Sequence, residues 1–271
     1  VRLSRPCPAC DGREAAPLFA RNGFDLHRCQ RCGCVFVAQD PATIDFQALY
    51  GPKYYTGGHD AVFSDYLGQE AARRAQARRK LWWHRSLPPR WPRRGRLLDV
   101  GCAAGFFLAE AHAHYEVQGV ELSSWSSAHA RDVLGVPVFT GTLQQAALPT
   151  AHFDVITLWD VIEHVPDPVP LLTEAARVLK PDGRLVLTTG DWDSAYARSK
   201  GADWHLAAPP WHLTLFGRTT MALAGERAGL KLLHCASEGV AGDGRFWRHR
   251  AGLLLGRLLD RGDILRMTFT R

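Results

Sequence analysis

Between Arg96 and Thr189 short apolar runs alternate with stretches of mixed polarity. Leu97, Leu98 and Val100 form the kind of run a buried parallel strand needs, and it leads into R-L-L-D-V-G-C-A-A-G-F-F, a turn bounded by Gly101 and Gly105. A second strand is predicted over Glu116 to Glu121 and a third over Phe153 to Trp159. A helix follows from about Pro168 to Lys180, stopped by Pro181-Asp182-Gly183, and then another strand over Arg184 to Thr189. Strands alternating with helices in this way predict a doubly wound parallel sheet, an α/β fold with ligands at the carboxyl ends of its strands.

The loop after the first of these strands carries chemistry. Gly101 turns the backbone without a β-carbon, and Gly105 lets a helix start lie close to a ligand. The spacing G-x-x-x-G matches neither a dinucleotide fingerprint nor a triphosphate loop, so a smaller and less anionic ligand is implied. Glu121 ends the second strand about twenty residues later, where such folds accept hydrogen bonds from ribose hydroxyls. It is the predicted ribose ligand; the alternative is a solvated charge at a strand end.

With D-V-G-C-x-x-G at Asp99 to Gly105, the E-H pair Glu163-His164 and L-K-P-x-G from Leu179 to Gly183, the chain resembles the class I S-adenosylmethionine-dependent methyltransferases of the broad small-molecule group. The likeness covers roughly Gly95 to Leu233. It implies a Rossmann-like sheet of seven strands in the order 3-2-1-4-5-7-6, the last antiparallel, with late strands near Lys231 to Ser237 and Asp263 to Thr270. It places Asp99, Gly101, Cys102, Ala103 and Gly105 around the methionine end of the cofactor, with Phe106 and Asp160 also in contact. Glu121 then takes the ribose, Leu122 and the Thr142-Leu143-Gln144 turn the adenine, and Trp159 the sulfonium side. S-adenosylmethionine fits such a loop, because it offers an amino group, a carboxylate, two hydroxyls and an aromatic ring but no phosphate. Two departures stand out. Ala103 replaces a glycine of many relatives, and Gly141 to Gln144 lacks the acidic residue often found there, leaving the adenine to Gln144, Gln145 or main-chain groups.

Cys7-Pro8-Ala9-Cys10 and Cys29-Gln30-Arg31-Cys32 are two C-x-x-C turns eighteen residues apart, each followed by a glycine, Gly12 and Gly33. Four thiolates on two tight turns can close a tetrahedron around Zn²⁺, so a structural zinc ribbon is expected, with Cys34 able to replace Cys32. Two disulfides are the alternative; a chain opening without an apolar signal segment points instead to a reducing cytoplasm. Cys102 and Cys235 read as core or loop cysteines.

Composition changes this picture only at the margins. The chain has 271 residues, 46% of them hydrophobic, and can bury one α/β core plus an appendage. No apolar run reaches membrane-span length, and a soluble protein is expected. The formal charge of +6 is concentrated in arginines from Arg73 to Arg96, on a helix ended by Pro88-Pro89. That face is either solvated or meets an anionic partner such as a phosphorylated substrate, RNA or a membrane surface. The expected organisation is a ribbon over 1–45, a linker and basic helical cap over 46–94, and a methyltransferase domain over 95–271 with a lid insertion at about 190–216. The tyrosine-rich Leu49 to His59 reads as a cap or a plain linker, and Arg245 to Arg266 as a basic hairpin arm.

For a hydroxyl acceptor, methyl transfer needs in-line alignment and removal of a proton. His164, preceded by Glu163, is one candidate general base, or packs under its loop. His212, in W-H-L-A-A-P-P-W-H-L-T-L-F, is the other; that segment is either a substrate-facing wall or a lid whose Trp204 and Trp211 fill a crevice. Asp191 and Asp193 could supply a carboxylate partner. The expected activity is methylation of a small-molecule or carrier-linked acceptor, at a sugar or secondary-metabolite hydroxyl. The rival readings are a C-methyltransferase for nucleotide-linked sugars, an RNA methyltransferase gripping nucleic acid with ribbon and helix, and a non-catalytic cofactor-binding protein. Against RNA, there is no N-P-P-Y-type turn after the fourth strand.

Overall fold

In the computed structural model residues 5–57, 65–238 and 262–271 are described. In chain order the strands are β1 (Ala15–Arg21), β2 (Phe24–Cys29), β3 (Val35–Val37), β4 (Arg96–Val100), β5 (Glu116–Glu121), β6 (Val138–Thr140), β7 (Phe153–Trp159), β8 (Leu179–Gly190), β9 (Thr214–Leu215), β10 (Lys231–Glu238) and β11 (Ile264–Thr270). The helices are α1 (Phe46–Leu49), α2 (Pro52–Thr56), α3 (Glu70–Ser86), α4 (Phe106–Ala111), α5 (Ser124–Asp132), α6 (Pro168–Val178), α7 (Ala195–Lys200) and α8 (Arg218–Arg227). Seven strands form one sheet in the order β10-β11-β8-β7-β4-β5-β6. Counted within the sheet, this is the expected order 3-2-1-4-5-7-6 read from the other edge. Strand β4 pairs in parallel with β5 and β7, and β5 in parallel with β6. Of the expected Arg245 to Arg266 arm, residues 245–261 lie outside the described residues.

One boundary moves. The predicted helix to Lys180 ends at Val178, and β8 already begins at Leu179 and runs through Pro181-Asp182-Gly183. Pro181 pushes the residue before it toward extended backbone, so the helix stops early and the strand starts early.

The chain divides into two compact units. One comprises Ile44–Trp159, Glu174–Val186 and Thr270–Arg271. Its core joins Leu97, Val117 and Val155 from the parallel strands to Leu81 and Ala77 of α3, Phe107 and Leu108 of α4, and Trp91, all buried. Apolar residues crowd these strands because both faces are covered by helices. Gly119 shows how tightly: a β-carbon there would come within 2.6 Å of Cys102 Sγ, 2.8 Å of Leu108 Cδ1 and 3.0 Å of Val138 Cγ2.

The other unit comprises Val1–Thr43, Asp160–Thr173 and Leu187–Phe269. Strands β1 and β2 form a hairpin through Asn22-Gly23, both at positive φ, the conformation a two-residue hairpin turn demands. Strand β3 extends the sheet, and β9 completes it in the order β1-β2-β3-β9, with Val35 opposite Leu215 and Phe36 opposite Thr214. Side chains reinforce the junction. Asn22 Nδ2 donates to Pro209 O at 2.8 Å, Arg21 to Trp204 O at 3.3 Å, and Arg227 to Ala9 O at 3.0 Å and to the Asp11 carboxylate. The amino-terminal module and the 204–216 segment are thus one hydrogen-bonded block.

Gly119→Ala is expected to destabilise the fold by about 1–3 kcal/mol through overpacking alone, since the φ of this residue is compatible with alanine. Urea denaturation of the two proteins checks this.

Candidate active site

The loop after β4 is built on positive φ angles. Gly101 (φ +71°), Ala103 (+48°) and Gly105 (+81°) turn the backbone sharply, with the N–H groups of Gly101 and Cys102 donating to Val120 O at 2.7 and 3.3 Å and that of Gly105 to Cys102 O at 3.0 Å. Ala103 therefore holds a left-handed conformation where glycine would be less strained. At Gly105 the space a side chain needs is taken by Ala130 Cβ at 2.8 Å and Val136 Cγ2 at 3.0 Å, so glycine there also lets α4 lie close to α5.

Glu121, at the end of β5, binds this loop directly. One carboxylate oxygen accepts from Ala103 N–H at 2.8 Å and the other from Ser123 N–H at 2.8 Å. The group is almost fully buried, which raises its pKa, opposed by the N–H groups of Ser123, Ala103 and Leu122. A carboxylate has about four lone-pair sites, so with these three N–H groups seated at least one remains for a hydroxyl donor. Asp99, also buried, accepts from Thr157 Oγ1 at 2.6 Å, and burial pushes it up to about 7. Trp159 carries the Lys80 ammonium 3.9 Å over its ring and meets Phe107 edge-on. In the 142–145 turn Gln145 caps Thr142 N–H at 2.8 Å, with Leu143 buried and Gln144 exposed.

An aromatic cluster closes around these groups. Tyr55 stacks on Trp125 (5.3 Å), meets Tyr66 edge-on (5.3 Å) and lies 3.4 Å from Ser126 Oγ; Tyr66 stacks on Phe106 (5.8 Å) under the Arg73 guanidinium. Burial pushes the Tyr66 phenol up to about 12, with the Glu121 charge adding and Arg73 opposing.

In the other unit, Glu163, His164 and His212 come together, one ligand atom of each lying within 4.8 Å of the others. The imidazoles meet edge to face at 4.7 Å. Leu213 N–H donates to Glu163 O at 2.8 Å, which ties the 212 segment to the E-H turn. His164 Nδ1 donates to Trp211 O at 2.9 Å and His212 Nδ1 to Leu206 O at 2.5 Å. Burial and the neighbouring His212 lower His164 to about 3, and burial also lowers His212. Burial, with the Asp160 charge, pushes Glu163 up to about 8. Asp160 itself (φ +55°) accepts from Thr188 Oγ1 at 2.8 Å. Asp191 lies 3.8 Å from the Arg218 guanidinium, and Asp193 pairs with Arg198 at 3.1 Å.

The sulfurs of Cys7, Cys10, Cys29 and Cys32 also converge within 4.8 Å of one another. Cys7 to Cys32 and Cys10 to Cys29 are each 3.6 Å apart, too long for a disulfide and close to the edge of roughly 3.8 Å that tetrahedral Zn–S bonds imply. Gly12 N–H points at Cys10 Sγ at 3.4 Å, and burial pushes that thiol up to about 11. Cys34 Sγ lies 3.9 Å from Val35 O.

A model of the methyltransferase domain family matches residues 69–235. The chain belongs to the methyltransferase domain family. It carries a class I S-adenosylmethionine-dependent methyltransferase domain. The ubiquinone biosynthesis O-methyltransferase of Neisseria meningitidis is 34% identical over 104 residues, 35% of this chain and 43% of that one. The enzyme of the same name from Thiobacillus denitrificans is 37% identical over 102 residues, 35% of this chain and 44% of that one. The chain thus spans less than half the length of the curated relatives it matches. Among solved structures, a Thermotoga maritima S-adenosylmethionine-dependent methyltransferase described as a possible histamine N-methyltransferase aligns with a TM-score of 0.55 at 20% identity, covering 75% of this chain and 96% of that one. Geranyl diphosphate C-methyltransferase of Streptomyces coelicolor aligns with a TM-score of 0.53 at 17% identity, covering 79% and 88%. These two likenesses are of fold.

The methyltransferase gathers Asp99, Gly101 to Gly105, Phe106, Glu121, Leu122, Thr142 to Gln144 and Trp159 in one unit, while Asp160, Glu163, His164 and His212 lie in the other. Sequence reasoning missed Tyr66, Trp125 and Arg73, which neither periodicity nor a motif marks. Trp204 is buried, with Nε1 donating to Asp263 at 3.3 Å, whereas Trp211 is only partly buried.

The two buried groups titrate with opposite sign. His164 binds its proton near 3 in the fold and near 6.5 when unfolded, so its contribution is present above 6.5 and is lost as pH falls toward 3. Glu163, raised from 4.5 to about 8, contributes below 4.5 and loses that contribution as pH rises through 8. His164→Gln is expected to flatten the change in stability between about pH 3 and 6.5 and Glu163→Gln that between 4.5 and about 8, each by a slope of up to about 1.4 kcal/mol per pH unit in urea titrations run across pH.

Proposed function

We propose that this methyltransferase methylates a hydroxyl of a small or carrier-linked acceptor, such as a sugar or a secondary-metabolite ring. When bound, S-adenosylmethionine supplies an electrophilic methyl group on a sulfonium. Glu121 takes the ribose with the lone-pair capacity that Ala103, Ser123 and Leu122 leave over. Asp99 and the Gly101 to Gly105 loop border the methionine end, Phe106, Leu122 and Thr142 to Gln144 the adenosine side, and Trp159 and Asp160 the sulfonium. His212 is the general base. Its Nδ1–H is committed to Leu206 O, so the tautomer presents Nε2 as the lone pair that takes the acceptor proton. His164 positions it from 4.7 Å away, and its lowered pKa keeps that ring neutral at working pH. The names of the curated relatives support O-methylation, and the buried, doubly clamped Glu121 carries the reading.

The convergence of Glu163, His164 and His212 supports a second reading, in which a divalent cation held by these three groups polarises the acceptor hydroxyl. Chelation followed by Mg²⁺ or Zn²⁺ addition separates the two, since a base mechanism keeps full activity without the ion.

We further infer that Cys7, Cys10, Cys29 and Cys32 hold one structural Zn²⁺. Four thiolates close the coordination sphere, so the ion stabilises a module of about forty residues rather than acting on substrate. The sequence organisation of ribbon over 1–45, cap over 46–94 and catalytic domain over 95–271 follows that reading.

Glu121→Ala is expected to weaken S-adenosylhomocysteine binding at least tenfold by calorimetry, a loss typical of charge-assisted hydrogen bonds. His212→Ala should keep that affinity and lose about 10²- to 10⁴-fold in turnover on an accepted hydroxyl substrate. Unchanged binding in the first variant would remove the ribose assignment, and unchanged turnover in the second would remove the base. Elemental analysis should find one zinc per chain, diminished in Cys29→Ser together with the melting temperature.

A further inference from the structure

The arginine-rich stretch separates into two halves with different employment. Upstream, the cations are used inside the fold. Arg73 lies 3.7 Å over the Tyr66 ring, Arg74 pairs with Glu70 at 2.7 Å and with Glu110 at 3.1 Å, Arg78 pairs with Glu110 at 3.1 Å, and Lys80 sits on Trp159. Downstream, Arg85, Arg93 and Arg94 line a cavity of about 470 Å³ together with His112, His114 and Tyr115. The acid on its wall, Glu116, pairs with Arg96 at 3.1 Å, and the neighbouring Asp154 is taken by Lys180 at 2.7 Å and by Arg96 N–H at 2.8 Å. Arg85 Nε is buried with no hydrogen-bond partner, and Arg93 and Arg94 have no acidic partner among the described residues. Desolvation and the Arg85 charge lower the pKa of His114, as expected where positive charges are gathered without compensation.

We propose that this cavity is a binding site for a small phosphorylated anion, a mono- or diphosphate ester free in solution, distinct from the methyl-donor cradle. Guanidinium groups recognise phosphoryl oxygens through paired N–H donors, and a buried unpartnered Nε supplies a donor whose cost a ligand oxygen removes. The volume falls in the range of small-molecule sites. A nucleic acid backbone needs a continuous basic track, and here the upstream half of the track is neutralised internally. The cavity lies at the amino ends of β4 and β5, beside Gly95 and Glu116, whereas the Gly101 to Gly105 loop and Glu121 lie at their carboxyl ends. A strand of this length separates the two by roughly 15 Å, so an occupant does not touch the methyl donor. The inference stands apart from the assignment of base and acceptor above.

The test is calorimetric titration of the full chain with inorganic pyrophosphate, alongside imidazole NMR signals of His112 and His114. Saturable binding of one pyrophosphate, movement of both histidine signals and at least tenfold weaker binding in the R85Q/R93Q/R94Q variant are expected, while R79Q/R90Q, altered outside the cavity, keeps the affinity. A thermal melt like that of the unaltered protein confirms that the first variant is folded, and the NMR shifts serve without any variant. No binding at millimolar pyrophosphate, or equal binding in the R85Q/R93Q/R94Q variant, overturns the proposal. So does tighter binding of a single-stranded RNA oligomer or of phosphatidylserine vesicles through the same arginines, which would assign the surface to a macromolecule or membrane.

Discussion

One buried carboxylate sets the geometry of the cofactor side. Glu121 receives the N–H of Ala103 from the first loop and that of Ser123 from its own, and so fastens two strand ends to each other. Removing the negative charge would leave two buried donors unsatisfied, each costing about 1–3 kcal/mol. The left-handed backbone at Ala103 is tolerable in this light: the strain of that conformation is offset by the charge-assisted bond from its N–H to Glu121. The same carboxylate raises the Tyr66 phenol, so the aromatic cluster, the loop and β5 belong to one electrostatic neighbourhood.

The parallel part of the sheet could be read from the sequence because its strands are apolar on both faces and its turns are punctuated by glycine and proline. Leu97 to Val100, Val117 to Glu121 and Phe153 to Trp159 admit no other assignment, and the strand order followed from family likeness. The cysteine turns were legible for the same reason, being local in sequence. What escaped was non-local. Nothing near Tyr66 or Trp125 indicates that both pack on Tyr55, because the contact with Trp125 spans some seventy residues of chain. Likewise Thr214-Leu215 is too short to be recognised as a strand, and exists as one only because β3 offers it an edge. The reach of α6 was misjudged by two residues, since the effect of Pro181 on its predecessor outweighed the helical pattern.

The histidine-bearing segment owes its shape to the amino-terminal module. Val37 N–H donates to Leu213 O and Leu213 N–H to Glu163 O, so one residue links the small antiparallel sheet to the E-H turn. Asn22 and Arg21 hold the backbone on either side of Leu206, the residue whose carbonyl sets the His212 tautomer. The amino-terminal module therefore acts as the template on which two imidazoles and a carboxyl are brought together.

Pairing between Val35 and Leu215 also bears on the order of events at the ribosome. The hairpin of β1 and β2 is translated before β4 to β8 of the large sheet, and the strand that completes its own sheet, β9, only after them. Until then the edge of β3 exposes unpaired backbone groups. The small sheet thus closes only after the strands between its two parts are made, and any ion held by its thiolates would guard an open-edged structure during that interval.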